Sequence, residues 1–187
     1  ICHDNLWVAE VTGTSGDDFL QANSQLPSRI DGKGGNDHIY GSIGRDWLYG
    51  GAGDDFLEGG GGRDYLEGGT GSDVYFYNYY SGQYVICNYD TGTGSYDVLR
   101  LAEAFSFSDL TISRGRGEND DDLVIDFKNY PEGHIFLKNF FNGPAWSLDA
   151  LEFYDGLVVS KYASVPYKHL RAHETRHELV CRLLLAK

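Results

Sequence analysis

The segment between residues 32 and 76 repeats with a nine-residue period, and this repeat constrains the fold more than any other feature of the sequence. Each unit follows the pattern GGxGxDxΦx, in which Φ is a large apolar residue and the second glycine is sometimes replaced. Five contiguous units span residues 32–40, 41–49, 50–58, 59–67 and 68–76. An earlier copy, GTSGDDFLQ, spans residues 13–21, and the intervening ANSQLPSRID is a degenerate copy with one insertion. A fixed period of this kind predicts stacked units that contact mainly their neighbours.

The two parts of a unit predict a tight turn followed by a short strand. Glycine reaches the positive φ angles of tight turns at little steric cost, which suits the six residues GGxGxD. The remaining three residues, such as FLE, YLE and WLY, have an apolar centre and suit a short strand. Because alternate residues of a strand face opposite sides, the eighth position points inward and the seventh and ninth point outward. Two units then form one flattened coil, and each unit stacks on the unit two places earlier.

The sixth position of the five units is always aspartate, which raises an electrostatic problem. Stacked coils bring these carboxylates to about 5 Å from one another, the spacing of neighbouring strands. Like charges at that distance oppose folding, and the small interior side chains offer little apolar burial in compensation. A cation between the stacked turns would reverse the sign of this interaction. Calcium is the best candidate because it accepts many oxygen ligands, here carboxylates and turn carbonyls, whereas magnesium is stricter about geometry.

The motif GGxGxD followed by an apolar residue two places on resembles the calcium-binding nonapeptide repeat of RTX (repeats-in-toxin, haemolysin-type) proteins. The resemblance covers residues 13–76 and implies an all-β fold, a right-handed parallel β-roll with calcium in its turns. Pairing each unit with the one two places later gives three complete sites from five units, and a fourth requires Asp18 to stack on Asp37. The ligands that the resemblance implies are aspartate side chains and glycine carbonyls: Asp18, Gly32, Gly35, Asp37, Gly44, Asp46, Gly50, Gly51, Gly53, Asp55, Gly59, Gly60, Gly62, Asp64, Gly68, Gly69, Gly71 and Asp73.

The nine-residue period ends at residue 76, and longer β-like runs follow as far as residue 160. Turn signals such as DTGTGS, GRGENDD and NYPEG separate these runs and predict antiparallel hairpins. The order of the runs resembles the domain that follows the repeats in many RTX proteins. A β-rich capping domain over residues 77–160 would cover the apolar end and the free strand edges of the last coil. The acidic run 118–122 is interpreted as a solvated hairpin tip, with a further calcium site as the alternative.

Two terminal segments complete the expected domain organisation: an N-terminal flank over residues 1–12 and a basic tail over residues 161–187. The tail is compatible with a short C-terminal helix. The run HETRH at 173–177 matches the HExxH pattern of zinc proteases. Val180 and Leu183 occupy the places of the glycine and third histidine of the metzincin extension, so we predict no catalytic site in this chain. The tail occupies the place of the uncleaved secretion signal of RTX proteins, and a sequence unrelated to the domain is the alternative.

The net charge of −13 disfavours nucleic acid and anionic membranes as partners, and no apolar run is long enough for a transmembrane segment. We expect a non-enzymatic, calcium-binding module that folds on binding about three to four calcium ions outside the cell. By resemblance it is part of a secreted bacterial exoprotein or toxin whose partner is a type I secretion exporter. The alternative is the C-terminal fragment of a secreted RTX lipase, protease or adhesin whose activity lies outside this chain.

Overall fold

The computed structural model of the chain describes residues 2–3, 6–22, 26–103 and 105–160. Three expectations concern residues outside these ranges: the C-terminal helix, the HETRH run at 173–177 and the secretion signal. Among the described residues no helix has the length and the apolar character that crossing a membrane requires.

The described residues form seventeen β-strands and four short 3-10 helices, and they contain no α-helix. The strands are β1 (Cys2–His3), β2 (Leu6–Trp7), β3 (Ala9–Thr12), β4 (Phe19–Gln21), β5 (Ser28–Gly34), β6 (His38–Ser42), β7 (Trp47–Ala52), β8 (Phe56–Gly60), β9 (Arg63–Thr70), β10 (Val74–Tyr77), β11 (Gln83–Ile86), β12 (Val98–Leu101), β13 (Leu110–Arg114), β14 (Leu123–Phe127), β15 (Tyr130–Leu137), β16 (Ala150–Phe153) and β17 (Val158–Ser160). The 3-10 helices span Phe107–Asp109, Gly117–Asn119, Phe140–Asn142 and Pro144–Trp146.

Strands that follow one another along the repeats alternate between two sheets. One sheet has the order β13-β14-β15-β11-β9-β7-β5-β3, and the other has the order β17-β16-β12-β10-β8-β6-β4. Every pair between β3 and β11 in the first sheet, and between β4 and β12 in the second, is parallel. A separate antiparallel pair joins β1 and β2. The fold is therefore a parallel β-roll, as the repeat predicted.

The eighth position of each unit forms the interior of the roll. Leu48 pairs with Leu66 in one sheet and Ile39 pairs with Leu57 in the other, so each unit lies on the unit two places earlier. These four side chains are fully buried, whereas His38, at a seventh position, is exposed. The predicted inward and outward alternation is confirmed.

The roll begins earlier than the first repeat. The degenerate copy supplies β5, in which Ser28 takes the sixth position and Ile30 the eighth, and both are fully buried. β3 pairs in parallel with β5 and packs Val11 against the core. The predicted flank of residues 1–12 thus contributes one strand to the roll.

Both sheets also continue beyond residue 76, where the repeat ends. β11 and β12 extend them in parallel, and β15 and β16 add one further coil in the same orientation. Within the described part of residues 77–160, antiparallel pairing is confined to β13–β14–β15 and β16–β17. The expectation of antiparallel hairpins is therefore wrong for the inner strands and correct for the outer ones. The inner strands run parallel to the strands of the roll and keep an inward-facing residue in register with them. They therefore bury the end of the roll without a reversal of the chain direction.

Aromatic side chains close the apolar interior at this end. The ring of Tyr77 stacks on Phe127 at 4.8 Å and contacts Tyr84 edge-on at 5.0 Å, and Phe105 lies 4.6 Å from Phe127. Such contacts bury large apolar areas and prefer offset or edge-on geometry. The acidic run 118–122 begins at an exposed tip between β13 and β14, but Asp122 is buried and accepts a hydrogen bond from Lys138 Nζ at 2.5 Å.

Candidate metal centres in the turns of the roll

Each repeat turn ends on a buried aspartate that ties two coils together. The five sixth-position carboxylates belong to residues that are no more than 2% exposed: Asp37, Asp46, Asp55, Asp64 and Asp73. Oδ1 of Asp55 accepts a hydrogen bond from the backbone N–H of Asp37 at 2.8 Å, and Oδ1 of Asp73 accepts one from Asp55 at 2.9 Å. On the other edge, Oδ1 of Asp64 accepts from the N–H of Asp46 at 2.9 Å. Asp18 stacks on Asp37, since its N–H donates to Asp37 Oδ1 at 2.8 Å.

The second carboxylate oxygen, Oδ2, divides the aspartates into two groups. In four of them this atom is buried and receives no hydrogen bond from any described residue: Asp37, Asp55, Asp64 and Asp73. In Asp46, Oδ2 accepts bonds from the N–H and the hydroxyl of Ser42, at 2.6 and 2.8 Å. Thr14 donates to Asp18 Oδ2 in the same way, at 2.6 and 2.9 Å. The second position of the turn decides the group, because it is a hydroxyl residue in the two satisfied turns and glycine or lysine in the other four.

The first glycine of each turn leaves the space in which Oδ2 lies. A Cβ atom built on Gly50 would lie 2.2 Å from Asp55 Oδ2 and 2.5 Å from the carbonyl oxygen of Gly68. The same holds one coil earlier, where a Cβ on Gly32 would lie 2.2 Å from Asp37 Oδ2 and 2.5 Å from the Gly50 carbonyl oxygen. A carboxylate oxygen and a carbonyl oxygen therefore both pack against the backbone of the first glycine, at a place where only glycine fits. Such oxygen ligands suit a hard cation such as calcium.

Most of the other predicted glycines line the gaps between stacked turns. Those at the second and fourth positions with positive φ are Gly35, Gly51, Gly53, Gly60, Gly62, Gly69 and Gly71. The carbonyl oxygen of Gly53 would lie 2.2 Å from a Cβ on Gly71, which shows how closely the turns approach. Gly44, at a fourth position, lacks a positive φ. It lies in the turn in which the Ser42 hydroxyl donates a hydrogen bond to Asp46. Gly59 and Gly68 occupy first positions, and a Cβ on either would lie less than 3 Å from the aspartate of its own unit.

Burial makes the ionised form of three of these carboxylates unfavourable in the absence of a cation. Desolvation raises the pKa of Asp55 to about 6, of Asp73 to about 8 and of Asp64 to about 9, although the N–H donors from the preceding coil oppose the change. The charge of Asp37 raises the pKa of Asp55 further, and Asp46 acts in the same way on Asp64. A bound cation would favour the ionised form and so counteract this electrostatic strain.

Comparison with known proteins identifies the repeats. Residues 29–57 and 40–75 match the family model of the RTX calcium-binding nonapeptide repeat (4 copies). The chain contains RTX calcium-binding repeats. The matched segment is about a quarter of the chain and contains the five contiguous units up to residue 75. No curated protein matches the chain.

Stacked aspartates that accept a hydrogen bond from the backbone N–H of the aspartate one coil earlier form an aspartate ladder. This ladder continues past the matched RTX repeats, and sequence reasoning missed the continuation. The N–H of Asp73 donates to Asp97 Oδ1 at 2.9 Å, and the N–H of Asp97 donates to Asp149 Oδ2 at 2.9 Å. The signal was present, because DVL at 97–99 and DAL at 149–151 retain the aspartate and the inward apolar residue of the RTX unit without its glycines. On the other edge Tyr84 takes the place of the aspartate and accepts a hydrogen bond from Gly60 N–H at 2.9 Å.

Carboxylates alone would not complete a calcium site in the RTX turns. In the part of the chain that the structure describes, no three His, Cys, Asp or Glu side chains are grouped at metal-binding spacing. A calcium ion in these turns would therefore depend on backbone carbonyls as well as on aspartates.

Proposed function

We propose that the chain is a calcium-driven folding module of a secreted bacterial protein, without catalytic activity of its own. The observation that carries this proposal is the set of buried Oδ2 atoms in Asp37, Asp55, Asp64 and Asp73, to which no described residue donates a hydrogen bond. Leaving one buried acceptor unsatisfied costs about 1–3 kcal/mol, and more if the group is charged. A calcium ion bound between stacked turns would supply the missing partner to these oxygens.

The ligands would come from pairs of stacked turns. Along one edge the pairs are Asp37 with Asp55 and Asp55 with Asp73, each supplemented by turn carbonyls such as those of Gly50 and Gly68. On the other edge Asp64 would act with Asp46. The Oδ2 of Asp46 would first have to give up the two hydrogen bonds that Ser42 donates to it. We therefore expect this site to bind calcium more weakly than those of the first edge.

The energy of ion binding is sufficient to decide whether the roll folds. A ligand at ten times its dissociation constant stabilises the folded state by about 1.4 kcal/mol per site, so three sites contribute about 4 kcal/mol. A typical domain is stable by only about 5–15 kcal/mol. Extracellular calcium modules bind with dissociation constants of about 0.1–1 mM, so calcium inside a cell would leave these turns empty.

This dependence suits export. An acidic, glycine-rich chain that stays unfolded at low calcium can pass through a type I exporter, and it would then fold in the calcium outside the cell. Any enzymatic or adhesive activity of the secreted protein would belong to other parts of it.

The first test is a calcium titration of the chelated full chain, followed by far-UV circular dichroism, with magnesium as the control. We expect a cooperative transition from coil to β-structure in calcium and none at equal magnesium. If the chelated chain is already fully β-structured and calcium changes neither the spectrum nor the stability, the proposal is wrong.

A matched pair of variants assigns the effect to the buried aspartates. Asp55→Asn removes a charge from a buried carboxylate at the centre of two proposed sites and should raise the calcium midpoint several-fold. Asp54→Asn removes the same charge from the exposed neighbouring position, where Asn36 makes the equivalent hydrogen bond one coil earlier. We expect Asp54→Asn to leave the midpoint nearly unchanged, and equal shifts in the two variants would contradict the assignment.

A further inference from the structure

Three buried carboxylates surround a cleft outside the RTX repeats, at the end of the roll. The cleft has a volume of about 400 Å³ and lies between the loop at 90–97 and the segment at 144–149. Asp90, Asp97 and Asp149 line it and are only 8%, 3% and 4% exposed. The other residues that line it are uncharged, so no basic side chain among them balances the three carboxylates.

Asp90 carries the observation that points to a ligand. Its Oδ1 accepts a hydrogen bond from the N–H of Gly92 at 2.5 Å, whereas its Oδ2 is buried and receives none from any described residue. A Cβ on Gly92 would lie 2.9 and 3.2 Å from the two carboxylate oxygens, so glycine keeps the space beside them free. A buried carboxylate oxygen without a partner is unfavourable unless a cation or a donor binds it.

The other two carboxylates are held in place by the aspartate ladder. Asp97 accepts hydrogen bonds from the N–H of Asp73 and from Asn88 Nδ2, both at 2.9 Å, and Asp149 accepts one from the N–H of Asp97. Each carboxylate oxygen has a second lone pair, so these bonds leave capacity for a cation. Burial raises the pKa of Asp97, and the charges of Asp149 and Asp90 raise it further, as expected for three acids that share one region.

We propose that this cleft is a calcium site, separate from the sites in the RTX turns, with Asp90 Oδ2 as its central ligand. Asp97, Asp149 and the backbone and hydroxyl oxygens of the cleft would complete the ligand set. The proposed ligand atoms are all oxygen, which favours calcium or magnesium. A glycine-containing loop suits the flexible coordination geometry of calcium. The three carboxylates are not already gathered at ligand spacing, so ion binding requires the 90–95 loop to close on Asp97.

An ion at this position would fasten three segments of the last coils to one another. The N–H of Asp90 already donates to the Ala145 carbonyl at 2.9 Å, and the rings of Tyr89 and Trp146 lie 4.5 Å apart. Trp146 directly follows Ala145, which lines the cleft. The site therefore has its own spectroscopic reporter, which distinguishes an ion bound here from ions bound in the repeats.

Terbium luminescence of the full chain tests the site. Terbium replaces calcium and emits when energy passes to it from a nearby excited tryptophan, so part of the emission should depend on Trp146. We expect Trp146→Phe and Asp90→Asn to remove the same part of the emission. Calcium bound after gel filtration should fall by about one ion per chain in Asp90→Asn and should not change in Trp146→Phe.

Two further variants separate this site from the RTX turns. Asp155→Asn removes one charge from the exposed turn before β17 and should leave ion content and emission unchanged. Asp55→Asn should lower the ion content but keep the emission that depends on Trp146. If only Asp55→Asn lowers the ion content, the cleft is not a calcium site and the repeats still are. If only Asp90→Asn lowers the ion content, the cleft is a calcium site and the function proposed for the repeats is wrong.

The tryptophan variant keeps the test decisive if Asp90→Asn does not fold, because Trp146→Phe retains every proposed ligand. Terbium emission that is equal in Trp146→Phe and the wild type would overturn the proposal. Displacement of terbium by magnesium as readily as by calcium would overturn the choice of calcium.

Discussion

Replacing one glycine of the roll with alanine tests the proposed arrangement of turn and carboxylate directly. In Gly50→Ala the new Cβ would lie 2.2 Å from Asp55 Oδ2 and 2.5 Å from the Gly68 carbonyl oxygen. Both distances are far below normal contact, and the carbonyl belongs to the backbone of the next coil. The coils must therefore separate or the Asp55 side chain must leave its position. Forcing an extra methyl group into a packed site typically costs about 1–3 kcal/mol.

Gly34→Ala is the matched control within the same kind of turn. Its Cβ would lie 3.5 Å from the nearest atom, the carbonyl oxygen of Ala52, and 4.0 Å from the Ala52 Cβ. Ala52 occupies the equivalent position one coil later, so the backbone there already accepts alanine. Because alanine restricts the unfolded chain more than glycine does, we expect this variant to be neutral or stabilised by up to about 1 kcal/mol.

Thermal unfolding at two calcium concentrations separates the two effects of Gly50→Ala. The steric part lowers the melting temperature equally at both concentrations, by about 2–4 °C per kcal/mol for a chain of this size. The loss of an ion adds a part that grows with calcium concentration, because a bound ligand stabilises in proportion to RT ln(1 + [L]/Kd). If Gly50→Ala and Gly34→Ala differ in stability by less than about 0.5 kcal/mol, the close approach inferred at Gly50 is wrong.

Three further predictions concern the interior and the ladders. Leu57→Ala, at a fully buried position, should lower the free energy of unfolding by about 2–5 kcal/mol in urea denaturation, whereas Ile43→Ala, at a side chain that is 79% exposed, should change it little; similar losses would contradict the inward assignment. Tyr75→Phe removes the hydroxyl that accepts from Gly68 N–H and donates to Asn88 Oδ1, both buried bonds, and should cost about 1–3 kcal/mol in the same assay; an unchanged midpoint would rule out that network. Ser42→Gly removes the hydroxyl that satisfies Asp46 Oδ2. At the lower of two calcium concentrations that fold the chain the variant should melt at a lower temperature, and its rise in melting temperature at the higher concentration should be larger; an unchanged rise would show that Ser42 does not compete with an ion.

The repeat predicted the fold because its nine-residue period carries two independent constraints in one register. Glycine fixes where the turns occur, and the apolar eighth position fixes which side of each strand faces inward. Ile39 and Leu57 therefore stack as expected. Beyond residue 76 only the second constraint persists, and antiparallel hairpins looked equally compatible with the turn signals. Asp97–Leu99 and Asp149–Leu151 continue the roll through long loops, because the stacking of parallel coils buries the apolar end that the last repeat exposes.

The position of the aspartates was predictable, but their hydrogen bonding was not. The nine-residue spacing predicted that Asp46 and Asp64 lie in stacked turns, and it predicted the same role for every sixth-position carboxylate. The structure distinguishes them through a residue four positions earlier, because the Ser42 hydroxyl reaches Asp46 Oδ2 and glycine at the same place in the next unit offers Asp55 nothing. A single-residue pattern cannot reveal this difference, which depends on how the turn folds back on its own carboxylate.

The distribution of unsatisfied oxygens suggests where calcium matters most along the roll. Near the first repeat, Thr14 satisfies Asp18 Oδ2. At the far end, Tyr84 replaces an aspartate and Asn88 donates to Asp97. Four of the five described aspartates whose Oδ2 lacks a donor lie in the repeats, and they are densest in residues 50–76, where three consecutive units have glycine at the second position; the fifth is Asp90, in the cleft at the far end. Because the central repeats lack donors for Asp55, Asp64 and Asp73, calcium bound there would contribute most to the folding of the roll.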